Sequence, residues 1–136
     1  MNINVLHMMV GLPRSGKSTV SKEMGFPIVE PDAIRLAMHG TLWNAEVEPL
    51  IWGFAHTMVR SLFLAGHTNV ILDATNHTNE RRKMWQDNLW VVKYHLVDTC
   101  EEICIQRSKD TERDYLIPII KRMASNFEHP NASSDC

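Results

Sequence analysis

The chain has little of what would tie it to an extracellular, membrane-bound or polyanion-coating role. It has three cysteines, Cys100, Cys104 and Cys136, in 136 residues. No two form a C-x-x-C pair, and the odd count predicts reduced thiols without a disulfide framework. Cys100 and Cys104 are four apart and would share a helix face, as packing residues and not as metal ligands. No apolar run reaches the length of a membrane span. The opening Met-Asn-Ile-Asn-Val lacks the basic region and cleavage site of a signal peptide, so the cytoplasm is the default location. Neither sign of charge dominates: 14 Lys and Arg stand against 16 Asp and Glu, a formal charge of −2. That balance argues against a non-specific nucleic-acid coat but leaves room for a locally positive cleft. Internal repeats and low-complexity stretches are also missing.

What is there is an ordinary globular composition, 44% hydrophobic and 22% charged, in a length suited to one core. Residues 11 to 18 read Gly-Leu-Pro-Arg-Ser-Gly-Lys-Ser, a complete G-x-x-x-x-G-K-S loop. It follows the apolar run Ile3 to Val10 and precedes a helix-compatible stretch, Lys17 to Met24. Glycines at Gly11 and Gly16 let successive backbone N–H groups turn onto phosphate oxygens, and the helix behind them points its positive end at the same anion. Pro13, Arg14, Ser15 and Thr19 complete the loop. Lys17 would reach the β- and γ-phosphates of ATP, and the Ser18 hydroxyl would ligate Mg²⁺.

The rest alternates strands with helices. Phe26 to Glu30, Asn69 to Asp73 and Val91 to Val97 are further strand candidates, each separated by a helical segment, as in a mostly parallel sheet with crossovers. The longest helix is predicted from Val47, Leu50, Ile51, Phe54, Ala55, Met58, Val59 and Leu62, whose 3-4-3-4 spacing closes at Gly66. Pro49 suits its first turn. Thr99-Cys-Glu-Glu102 has the form of a capping box and should open a helix toward Arg107. A last helix is expected over Ile117 to Phe127. The pattern is α/β: a P-loop NTPase with a nucleoside-monophosphate-kinase-like core, helices flanking the sheet, and a short lid. Residues 1–130 are read as a single P-loop kinase domain and residues 131–136 as a mobile polar tail.

Ligands of such sheets lie at the carboxyl ends of the strands. Asp32 and Arg35 follow the second strand in Val-Glu-Pro-Asp-Ala-Ile-Arg, with Pro31 starting a helix that sets the two on one face. The carboxylate could take a proton from a substrate hydroxyl while the guanidinium holds a phosphate; the plainer reading is a helix N-terminal Asp and a surface ion pair. Asp73 ends the strand Val-Ile-Leu-Asp, where it could serve Mg²⁺ directly or through water, orient the substrate, or cap a turn. Asn76, His77 and Thr78 form a turn and cap for a helix from Asn79. Arg107 and Arg113 flank the polar run Ser108 to Asp114, either as a lid closing on the triphosphate or as a solvated loop. Arg81, Arg82 and Lys83 either line a nucleic-acid path or make a solvated helix face.

Together these residues resemble the kinase domain of phage polynucleotide 5′-hydroxyl kinases and their wider family of small P-loop kinases, of the zeta-toxin and AAA-33 type. The matching elements are Gly-Leu-Pro-Arg-Ser-Gly-Lys-Ser-Thr19, Pro-Asp-Ala-Ile-Arg35, Asp-Ala-Thr-Asn-His-Thr-Asn-Glu-Arg-Arg82, Gln-Arg-Ser-Lys109 and Ile-Pro-Ile-Ile-Lys-Arg-Met123. The D-x-x-R and D-x-T-N-x-x-x-x-R-R elements discriminate; the phosphate loop is generic. The resemblance implies Asp32 as general base and Arg35 as holder of the acceptor phosphate. It implies Lys17 and Ser18 on ATP and Mg²⁺, Asp73 on the acceptor or metal, and Arg107 in the lid. The family has a further arginine four positions after Arg107, where this chain has Thr111, and Arg113 is assumed to take that duty.

The reaction implied is transfer of the ATP γ-phosphoryl group to a hydroxyl of a nucleic acid, DNA or RNA, most simply a 5′-OH end. The alternatives are a kinase for a hydroxymethylpyrimidine base in DNA, and a small-molecule kinase for a nucleoside, sugar or antibiotic hydroxyl. A non-enzymatic reading is an ATP-dependent switch, which would not need Asp32 near an acceptor.

Overall fold

The computed structural model describes residues 3–40 and 44–130. Four strands form one sheet: β1 (Val5–Val10), β2 (Ile28–Val29), β3 (Asn69–Leu72) and β4 (Val91–Leu96), in the order β2-β3-β1-β4. Every pairing is parallel, with Val5 opposite Asn69 on one side of β1 and opposite Val91 on the other. In β1, which pairs on both sides, Leu6, Met8, Met9 and Val10 are wholly buried. Its polar member, His7, is accommodated because its Nδ1 lies 2.8 Å from His95 Nε2 and its Nε2 lies 2.9 Å from Asn69 Oδ1. A buried imidazole with both nitrogens paired avoids the cost of a lost hydrogen bond.

Helices α1 (Lys17–Met24), α2 (Pro31–His39), α3 (Glu48–Leu64), α4 (Asn79–Lys83), α5 (Glu101–Asp110) and α6 (Ile117–Ser125) connect and follow the strands. Pro31 opens α2 and Pro49 lies in the first turn of α3, where a missing N–H costs nothing. Past α3, Gly66 adopts φ 107, a left-handed turn that side-chain-bearing residues avoid.

Two sequence expectations change in three dimensions. Helix α3 buries the single row Ile51, Ala55, Val59 and Phe63, while Leu50, Phe54 and Met58 face outward. The packed face is rotated toward Trp52 and His56, which lie against the Trp85 ring at centroid distances of 6.3 and 5.3 Å. Helix α5 carries no side-chain cap. The Thr99 hydroxyl donates instead to the Ser15 carbonyl at 2.8 Å, so the capping box is not formed. Cys104 is a buried free thiol. No helix among the described residues is long and apolar enough to cross a membrane. The tail expected over residues 131–136 lies outside the described residues.

Candidate active site

The carboxyl ends of β1, β2 and β3 open into one cleft of about 480 Å³. Its floor is the loop after β1. Gly11 sits where a Cβ would meet Ser15 Oγ at 2.7 Å and the Val97 carbonyl at 2.8 Å, so only glycine allows this close approach. Arg14 and Gly16 both have positive φ, 68 and 102, which turns the loop backbone inward before α1 begins. Ser15 is buried beneath the loop, its N–H donating to the Leu12 carbonyl and its own carbonyl held by Thr99. Pro13, Arg14, Gly16, Lys17, Ser18 and Thr19 line the cleft itself.

Lys17 Nζ donates to the Leu12 carbonyl at 2.7 Å. Burial holds this ammonium below the usual lysine range, and the Asp73 carboxylate partly opposes the shift. Asp73, buried at the end of β3, accepts from Ser18 Oγ at 3.0 Å and from Ser21 Oγ at 3.1 Å on the same oxygen. A hydroxyl and a carboxylate thus converge beside the loop, the hard oxygen pair that Mg²⁺ takes together with phosphates and water. Among the described residues no group of three or more His, Cys, Asp or Glu side chains could hold a metal ion by itself. The cradle, the lysine and this oxygen pair fit a Mg²⁺-nucleoside triphosphate.

Across the cleft stands Asp32, with a side chain 58% exposed, in the first turn of α2. Glu30, which sequence reasoning passed over, lines the cleft beside it, and burial followed by the charges of Asp73 and Asp32 pushes its carboxyl up. Its signal was its address, directly after the strand that delivers Asp32. Arg35 does not line the cleft. Its Nη1 donates to Asp32 Oδ1 at 2.6 Å, and its Nε and Nη2 donate to the two Glu48 oxygens at 2.8 and 2.7 Å. Glu48, at the start of α3, is the second residue the sequence did not disclose.

From the other side come the two arginines that follow β4. Arg107 Nη1 donates to the Arg14 carbonyl at 3.0 Å, and Arg113 lines the cleft. Thr111 accepts from Arg14 Nη2 at 3.2 Å, a bond that ties the end of α5 to the phosphate loop. The basic run on α4 is divided. Arg82 is 2% exposed and donates to the Asn76 carbonyl, Asn79 Oδ1 and the Glu128 carbonyl at 2.7, 2.6 and 2.6 Å. Arg81 instead lies over the Trp52 ring, 4.3 Å from its centre. His77 sits among these cations, and burial followed by Arg81, Arg82 and Arg122 holds its ring below the usual histidine range.

A family model described as "AAA domain" matches residues 6–130. No curated protein matches the chain in sequence. Among solved structures, a chain of the Pnkp1/Rnl/Hen1 complex superposes with a TM-score of 0.71 at 27% identity, covering 79% of this chain and 40% of that one. A chain of the Pnkp1/Rnl/Hen1 RNA repair complex gives 0.69 at 22%, over 97% and 50%. This chain therefore spans half or less of those proteins. A gluconokinase from Sinorhizobium meliloti 1021 gives 0.63 at 18%, over 97% of this chain and 79% of its own. The parallel sheet, its flanking helices and these neighbours are those of a P-loop kinase.

Proposed function

The chain belongs to the P-loop kinase family whose model is described as "AAA domain", and from that membership we propose that it transfers the γ-phosphoryl group of ATP to a nucleic-acid hydroxyl, a polynucleotide 5′-OH. The observation that carries the proposal is the sharing of one cleft by the phosphate cradle and Asp32. A nucleotide switch needs only the first. Similarity to a chain of an RNA repair complex supports a nucleic acid as the acceptor; the gluconokinase likeness concerns the fold.

In this reading the loop N–H groups and Lys17 bind the triphosphate, Lys17 exchanging the Leu12 carbonyl for phosphate oxygens. Ser18 and Asp73 would hold Mg²⁺, which when bound would supply charge neutralisation on the phosphate oxygens. Asp32 accepts the proton of the attacking hydroxyl, and Arg35 Nη1 aims its carboxylate. Arg107 and Arg113 approach from the lid side and compensate charge on the transferred group. No covalent enzyme intermediate is needed; alignment of donor and acceptor together with charge neutralisation supplies the acceleration.

The test offers labelled ATP with 5′-OH oligonucleotides, duplexes bearing hydroxymethylpyrimidines, and small alcohols. Label on the oligonucleotide ends is expected. Asp32→Asn should cut transfer by about 10²- to 10⁴-fold while ATP affinity holds. Label confined to small alcohols, or full activity in the mutant, would overturn the proposal.

A further inference from the structure

We infer that Arg14 and Thr111 form a latch that holds the end of α5 against the phosphate loop before nucleotide arrives. Thr111 is then a positioning residue for Arg107 and Arg113, which flank it. This rests on the ATP-binding part of the reading above and on no particular acceptor. The polar run from Ser108 to Asp114 has the composition of a solvated loop, yet two bonds tie it and the turn before it to one residue of the cradle.

Arg107 Nη1 donates to the Arg14 carbonyl at 3.0 Å, and Arg14 Nη2 donates back to Thr111 Oγ1 at 3.2 Å. Residue 14 is thus gripped through its backbone and its side chain by two residues one helical turn apart. The Thr111 hydroxyl is itself oriented. Its hydrogen goes to the Arg107 carbonyl at 2.9 Å, which leaves an oxygen lone pair for the guanidinium. Directly afterwards the Arg113 N–H returns to the Ser108 carbonyl at 2.8 Å, so the backbone carrying Arg113 folds back onto α5. Deeper in the same helix, buried Cys104 packs with Leu12 and Ile120. Apolar contact therefore anchors α5 to the loop at Leu12, and hydrogen bonds anchor it at Arg14.

The backbone at both ends of the latch is unusual. Arg14 has φ 68 and Glu112, beside Thr111, has φ 57, a left-handed conformation that glycine takes freely and other residues avoid. A long cation at that point of the loop reaches what glycine could not. Among the described residues Thr111 is the only hydrogen-bond partner of the Arg14 guanidinium, whose Nε is buried and unpartnered. The two halves of the latch have different fates when ATP enters. Phosphate oxygens compete with the Arg14 carbonyl for Arg107, while the side-chain half keeps α5 in place. The arm is then already formed, and binding does not bear the cost of ordering it.

The test measures binding of the fluorescent analogue mant-ATP to the full chain without acceptor, together with hydrogen exchange of residues 107–113. Thr111→Val should weaken the analogue about fivefold, the effect of one hydrogen bond. It should speed exchange of the nucleotide-free segment and restore protection at saturating analogue. Thr111→Ser keeps the hydroxyl and should match wild type in both. Arg14→Gly should loosen the same segment, and adding Thr111→Val to it should change nothing more, because one bond cannot be lost twice. Arg14→Gly also serves as the second variant if valine disturbs folding. Wild-type exchange and affinity in Thr111→Val, losses in Thr111→Ser equal to those of valine, or additive losses in the double mutant would each overturn the latch. Failure to label any acceptor overturns the proposed function and leaves the latch standing; failure to bind the analogue overturns both.

Discussion

Glu48 grips Arg35 by two parallel bonds, Nε to Oε2 at 2.8 Å and Nη2 to Oε1 at 2.7 Å, and so fixes the one guanidinium that touches Asp32. Both side chains are nearly withdrawn from solvent, at 12% and 13% exposure. Glu48→Gln keeps the shape but weakens the pair. It should destabilise the fold by about 1–3 kcal/mol, read from urea unfolding. It should also slow phosphoryl transfer more than it weakens ATP binding, because Asp32 loses its aim. A mutant with transfer rates like wild type would show that Arg35 needs no such anchor.

Thr99 links the end of β4 to the phosphate loop through its bond to the Ser15 carbonyl. Thr99→Val should reduce ATP affinity about fivefold, the worth of one hydrogen bond of about 1 kcal/mol. Hydrogen exchange in the first turn of α5 should stay as in wild type. Fraying of that turn with unchanged ATP affinity would restore the capping-box reading.

Glu30 supplies a pH test. Its carboxyl is raised in the fold by burial and by Asp73 and Asp32. A raised acid favours the folded state while protonated, below its unfolded value, and that advantage is lost as pH climbs through the folded value. Ionised Glu30 is therefore a liability near neutrality. Glu30→Gln should raise Tm at about pH 7 and change it much less at about pH 4. Thermal melts at the two pH values decide it; a gain confined to acid would contradict the assignment.

Arg82 tests whether the twin arginines of α4 have separate duties. Arg82→Met leaves three oxygens without their donor and should cost about 2–4 kcal/mol, measured by denaturant unfolding. The loss should appear as stability and as loosening of residues 76–79 against Glu128, whose carboxylate accepts from the Asn79 N–H and side chain at 3.1 and 2.9 Å. An unchanged unfolding midpoint would mean that Arg82 is not the tether described.

Much of the scaffold was readable in advance because its signals are local. The phosphate loop has a strand before it and a helix after it, and α1 spans the predicted Lys17 to Met24. All four strands lie within their predicted ranges, since continuous apolar runs bounded by turns suit a sheet covered on both faces. The Thr78 cap also formed, its hydroxyl accepting from the Arg81 N–H at 3.2 Å. The failures were questions of partner. Thr99 had the spacing of a cap, yet a carbonyl 84 positions away took its hydroxyl. The apolar residues of α3 filled two adjacent rows, and periodicity alone could not choose which of them would meet the tryptophans.

By itself, then, the sequence determined the order of elements, the loop that turns its N–H groups inward, and the carboxylates at the ends of β2 and β3, because backbone sterics and short-range periodicity specify these. Tertiary structure decided which charges became partners. It gave Arg35 to Glu48, sank Arg82 beneath Asn76 and Glu128, and left Arg81 on the Trp52 face. Those choices depend on distances between residues far apart along the chain, and on the cost of burying a charge without a partner, which no local pattern encodes.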